Sequence, residues 1–300
     1  MSFFHRSLQG LVSIPLQLLI VVLIVLAYIF IGQIPLLLVL ADHGLMESEF
    51  LADTGLIAEV VGYNRFLTLL LIPFIAVLLT ILLANRFLLG RSFLSLFTFR
   101  DKLDLKRIFF SFGVWMTVML AMVGITLLTT DQLTWNFKGE TFIGLLFISI
   151  FLIPLQTTCE EVLFRGYLLQ LFGASFRKGW VPLLMTGVVF GLLHGSNPEV
   201  EKIGSILLVY YISTGIFLGL LAIMDDGLEL SMGYHAANNI FAALIVTNEW
   251  QAFQTDALLM DHAPPVFGWD SLVTLFVLQP LLILLFAKVY KWRNWKERLL

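Results

Sequence analysis

TFIGLLFISIFLIPLQTTCEEVLFRGYLLQLFG, residues 141–173, is an apolar run interrupted by two adjacent glutamates and an arginine. Glu160 and Glu161 sit side by side, and Arg165 follows Glu161 by four residues. About 20 apolar residues suffice for a helix to cross roughly 30 Å of hydrocarbon, and this run exceeds that. Charged side chains inside such a span are costly and are usually kept for function. Glu161 and Arg165, spaced i,i+4, share one helix face and are expected to pair. Glu160 then points about 100° away, given about 3.6 residues per turn, and is left for other work.

The rest of the chain has the same character. Of 300 residues, 59% are hydrophobic and 13% charged, against about 25% charged in soluble domains. The mean hydropathy is +0.93. Eight apolar spans are expected, at about 12–41, 66–89, 106–129, 141–173, 180–195, 203–224, 229–247 and 268–290. The fold class is therefore all-α, a polytopic membrane helix bundle with about eight transmembrane helices. No alternating short strands suggest a β-barrel. The first run is about twice the length of a signal-peptide core and is read as a retained span, kinked at Pro15 or Pro35.

The net charge of −3 is too small to imply a strongly charged partner, and no basic patch suggests nucleic acid. A single cysteine, Cys159, excludes an internal disulfide. Its neighbour Glu160 raises the thought of a thiol nucleophile, but a small helix-packing residue is the favoured reading.

Basic residues gather in three segments: 86–107, the turn Arg177-Lys178, and the tail from Lys288 to Arg298. The intervening loops are acidic, with Glu47, Glu49 and Asp53 in one and Asp256 and Asp261 in another. With eight spans the basic segments share one side, and the positive-inside rule puts both termini in the cytoplasm. Asp225, Asp226 and Glu229 fall on that same side and run against the pattern. The compact loops favour a bacterial plasma membrane.

Two further polar clusters lie in apolar segments: His194, and His235 with Asn238 and Asn239. Spans four and five form a hairpin turning near Arg177. Glu160 lies 17 residues before Arg177 and His194 lies 17 after it, so equal rise along two regular helices brings them level. His235 and Asn239 are i,i+4 and can face one point. Small residues, Gly233, Ala236 and Ala237 beside His235 and Gly191 and Gly195 beside His194, allow helices to approach closely. Span five is short and span seven only moderately apolar, and weak hydropathy in such polar-lined segments suggests burial inside the bundle.

In order, Glu160-Glu161-Val162-Leu163-Phe164-Arg165, Phe190 to His194, and His235 to Asn239 match a Glu-Glu-x-x-x-Arg, Phe-x-x-x-His, His-x-x-x-Asn pattern. The pattern resembles the intramembrane CAAX prenyl endopeptidase and bacteriocin-processing family, also called Abi or CPBP. The likeness covers roughly residues 140–250. It implies three parts: N-terminal spans over 1–130, a catalytic core over 131–250, and a final loop, span and basic tail over 251–300. It also implies an enzyme, an endopeptidase acting on a prenylated, leader-type or other membrane-associated peptide. In that scheme Glu160 activates water, Glu161 pairs with Arg165, His194 orients water or binds charge, and His235 and Asn239 stabilise the oxyanion. Glu160, His194 and His235 are candidate ligands for a divalent metal such as zinc, since catalytic zinc keeps a fourth position open for water. No His-Glu-x-x-His helix is present, which favours the metal-free alternative. Two rival readings remain: a non-catalytic membrane scaffold, and a proton-coupled transporter using the buried Glu/His cluster.

Overall fold

A computed structural model describes residues 14–47, 53–176 and 178–299. Glu49, Arg177 and the first residues of span one lie outside the described residues. All eight apolar spans become helical segments, and the chain is an all-α polytopic bundle. Among the described residues, six helices are long and apolar enough to cross a membrane: α1 Pro15–Asp42, α2 Tyr63–Leu88, α3 Leu105–Thr129, α4 Gly139–Gly173, α6 Leu207–Asp225 and α8 Trp269–Val289. The two histidine-bearing segments are shorter: α5 Trp180–Leu193 and α7 Glu229–Ile240.

The shortness of α7 has a physical cause; α5 differs, because Leu184, Val188, Leu192 and Leu193 are exposed on it, so the enclosure expected for span five is not found. Helix α7 is buried at every residue from Glu229 to Ala237. A helix enclosed on all sides by other helices needs neither lipid-facing length nor strong hydropathy. It packs against α3, α4 and α6, and an added Cβ at Gly233 would lie 2.2 Å from the Ile108 carbonyl oxygen of α3.

Helix α5 packs along α6 just as tightly. A Cβ on Gly191 would meet the Ile212 backbone nitrogen at 2.7 Å, and one on Gly187 the Ile216 nitrogen at 3.0 Å. Gly195 has only Leu208 Cδ2, at 3.9 Å. The small-residue contact is therefore Gly187 with Gly191, rather than Gly191 with Gly195. The cause is simple: the regular helix ends at Leu193 and turns into a 3-10 stretch, His194–Ser196.

Helix α1 is interrupted by a π-helical stretch, Ala27–Gly32, and restarts at Ile34 with Pro35 in its first turn. The break thus falls at Pro35 rather than Pro15, where proline's missing N–H costs nothing. Helix α4 has a comparable stretch, Val162–Leu168, directly after the paired glutamates.

At one end of the bundle, Arg100 donates to Glu229 at 3.1 Å and to Asp225 at 3.1 Å, Arg107 pairs with Asp225, and Arg298 reaches Asp226 at 2.7 Å. The acids that ran against the loop-charge pattern are thus neutralised by arginines of the two basic segments. Gly179 of the third basic turn abuts the Arg298 backbone, so all three segments share this end. The opposite end carries a small sheet that short strands hid from the sequence reading. In it β1 Leu133–Trp135 runs antiparallel to β3 Leu259–Asp261, and β2 Val246–Thr247 parallel to it. Two- and three-residue strands cannot display an alternating period.

Gly191→Ala should destabilise the bundle by about 1–3 kcal/mol through overpacking against rigid backbone. Gly195→Ala should stay within about 0.5 kcal/mol, as substitutions outside tight packing do. Thermal unfolding of both variants in one detergent tests the contrast.

Candidate active site

Glu160, Glu161 and Arg165 come from α4, and His235 and Asn239 from α7. Glu161 and Arg165 are entirely buried and pair at 2.9 Å. The second guanidinium nitrogen of Arg165 donates to the Gly215 carbonyl of α6 at 2.8 Å. The guanidinium also lies over the Phe190 ring, 4.6 Å from its centroid. A π-helical turn begins one residue after Glu161, and such turns cluster at functional sites.

His235 stands between the two carboxylates. Its Nδ1 is 2.9 Å from Glu161 Oε1, and its Nε2 is 3.5 Å from Glu160 Oε2. A carboxylate accepts only, so Nδ1 carries a proton and donates to Glu161. Nε2 then faces Glu160 across a gap that is too long for a strong hydrogen bond yet within ion-pair range. A proton on either Nε2 or Oε2 would remove the repulsion between their facing lone pairs. With His235 doubly protonated, two carboxylates, one guanidinium and one imidazolium sum to zero. Charges buried in low dielectric persist only when balanced in this way.

The polar network extends to Asn238 and to two residues that the sequence reading passed over, Gln156 and Trp115. Gln156, four residues before Glu160, donates to Glu160 Oε1 at 2.6 Å and accepts from Asn239 at 3.0 Å. Its signal was available: a lone amide at i,i−4 from a buried glutamate in an otherwise apolar helix. Asn238, beside Asn239, donates to the Asn239 side-chain oxygen at 3.3 Å and accepts from Trp115 at 3.4 Å. Among the described residues, Glu160 Oε2 is buried and has no hydrogen-bond partner.

His194 is placed apart from this network. Its Nδ1 donates to the Phe190 carbonyl at 2.8 Å, which leaves Nε2 as the acceptor in the neutral ring. The ring stacks on Tyr211, with centroids 4.4 Å apart. Tyr211 in turn donates to Glu199 at 2.6 Å. No hydrogen bond or ion pair joins His194 to Glu160, Glu161 or His235 among the described residues. The Phe190 ring stands between, 4.5 Å from the His194 centroid and 6.1 Å from that of His235. The equal-depth count assumed regular α-helix on both arms. The structure instead has a π stretch after Glu161 and a 3-10 turn at His194.

Glu160, His194 and His235 were the candidate metal ligands, and the described residues contain no group of three His, Cys, Asp or Glu side chains able to hold a metal. Cys159 is buried among Ile20, Ile24, Val77 and Ile81 of α1 and α2, on the packing side of α4.

The model of the family "Type II CAAX prenyl endopeptidase Rce1-like" matches residues 140–241, which contain every member of this network except Trp115. A Bacillus subtilis (strain 168) protein, uncharacterized protein YyaK, is 30% identical over 218 residues, covering 72% of this chain and 71% of the relative. The chain belongs to the Rce1-like family. No solved structure gives a significant match. Membership in the Rce1-like family points to an intramembrane CAAX-type endopeptidase, and so to protease activity on a peptide substrate in the membrane. The Rce1-like match runs from α4 to the end of α7, the two helices that meet at His235.

Arg165→Ala strands Glu161 and opens the Gly215 contact, and breaking a buried pair costs about 3–5 kcal/mol. The expected result is a marked drop in unfolding temperature in detergent. Cys159→Ala should leave peptide cleavage unchanged, and loss of cleavage in a folded variant would restore the thiol reading.

Proposed function

We propose that this protein is a glutamate-type intramembrane endopeptidase in which Glu160 activates the attacking water. The observation that carries the reading is the state of Glu160 Oε2. It is buried, bears no hydrogen bond among the described residues, and faces a histidine whose other nitrogen is held by a second carboxylate.

Glu160 Oε2 takes a proton from water as the water oxygen attacks the peptide carbonyl carbon. The carbonyl π bond opens, and the electron pair moves to oxygen as an oxyanion. His235 Nε2–H and an Asn239 side-chain N–H donate to that oxyanion. Glu160 then passes its proton to the amide nitrogen, the C–N bond breaks, and a carboxylic acid and an amine leave. Donors fixed in a dry, low-dielectric site are well suited to stabilising such charge, because they need no reorganisation during the reaction. Arg165 keeps Glu161 ionised, and Glu161 holds the His235 ring. His194, across Phe190 from His235, orients water or binds charge.

The substrate class is a membrane-associated peptide of prenylated CAAX or leader type. The gathering of three basic segments at the end where α7 begins supports a cytoplasmic position for that end, and with it cytoplasmic termini. The Bacillus subtilis relative supports a bacterial plasma membrane.

Glu160→Gln keeps the shape and removes the base. General-base catalysis contributes about 10²–10⁴-fold, so cleavage of a farnesylated CAAX-type peptide should fall by that order while the variant remains folded. The same assay with a strong chelator separates the mechanisms. Undiminished cleavage fits the carboxylate chemistry, whereas loss on chelation with recovery on adding zinc would replace it with a metal mechanism.

A further inference from the structure

Gln156 is almost wholly buried, at 3% exposure, and both ends of its amide are engaged. Its nitrogen must be the end that meets Glu160, because an ionised carboxylate can only accept. Its oxygen is therefore the end that meets Asn239, and it can only accept from that amide's nitrogen. This in turn leaves the Asn239 oxygen to receive Asn238. One directional chain of amides thus runs from Asn238 to Glu160, and its sense is set by the carboxylate at its end.

Two consequences follow at the reacting atoms. Glu160 has two oxygens, and Gln156 occupies Oε1, so Oε2 alone faces His235. An unrestrained glutamate would present either oxygen and several rotamers. Asn239 has two N–H groups, and Gln156 takes one, so the remaining one has a single direction. We infer that Gln156 is a positioning residue that sets the base and the oxyanion donor in one frame, coupling a helix that carries the carboxylate to a helix that carries the amide. The inference rests on the reading of Glu160 as the base. It adds that the base and the donor are aligned by a shared amide from α4 rather than by separate packing. Misalignment of about 1 Å costs on the order of 10²-fold in rate, so the loss belongs in turnover and not in binding.

Three variants decide this beside the wild type: Gln156→Met, which keeps volume without hydrogen bonds; Gln156→Glu, which keeps an acceptor for Asn239 but donates to Glu160 only when protonated; and Glu160→Gln. Infrared difference spectra of wild type against Glu160→Gln identify the Glu160 carboxylate stretch without any substrate. That band should move in Gln156→Met, and a band left in place overturns the inference. Cleavage of a quenched fluorescent farnesylated CAAX-type peptide supplies the second readout. Gln156→Met should lose about 30–100-fold in kcat with KM within about twofold, the signature of an interaction made in the transition state. A kcat within about twofold of wild type overturns the inference. Should Gln156→Met not purify folded, Gln156→Glu carries the test: its pH–rate optimum should move to lower pH, where the introduced carboxyl can still donate, and an unmoved optimum counts against the inference. Retained cleavage by Glu160→Gln would remove Glu160 as the base while leaving the infrared result on the Gln156 contact to stand by itself.

Discussion

The Glu161–Arg165 pair is the constraint on which the rest of the site depends. Both side chains are fully withdrawn from solvent, where an unpartnered charge would be prohibitive. Each member therefore draws further partners to itself: the Gly215 carbonyl and the Phe190 face to the arginine, and the His235 ring to the glutamate. These attachments bring α4, α5, α6 and α7 to one point. These buried partners register the helices against one another more specifically than apolar packing alone does. Tightly packed glycines at α5–α6 and at α3–α7 then make the close approach sterically possible.

Much of this was legible in the sequence because it obeys short-range periodicities. A four-residue spacing on a helix is a contact wherever the helix is regular, and Glu161 with Arg165 behaved accordingly. Low hydropathy in span seven correctly signalled enclosure. What was not legible depends on departures from regularity or on partners distant in the chain. The π turn after Glu161 and the 3-10 end at His194 are departures that a count of uniform rise leaves out. The Asn239–Gln156 contact joins residues 83 apart in sequence. No periodicity announces it, although the i,i−4 half of that bridge, Gln156 to Glu160, could have been read. The small sheet at the acidic end is too short to leave a pattern.

Phe190 shows how one residue can serve two environments. Its ring packs edge-on to Phe164, lies under the Arg165 guanidinium, and separates two imidazoles. An aromatic face can satisfy a cation electrostatically while excluding water from it. That combination suits a place where a buried charge network must be kept apart from a more accessible histidine.

The arginine clasp around the start of α7 also bears on how the chain is made. Synthesis runs from the N-terminus, and earlier parts of a chain fold ahead of later ones. Arg100 and Arg107 leave the ribosome more than a hundred residues before Asp225 and Glu229, so the least apolar helix of the bundle emerges into surroundings that already hold the countercharges for its first turn. Arg298, which grips Asp226 and the Ile223 carbonyl, arrives only after α8. The same end of α7 is thus secured twice during biogenesis, first by the early loop as the helix enters and finally by the tail.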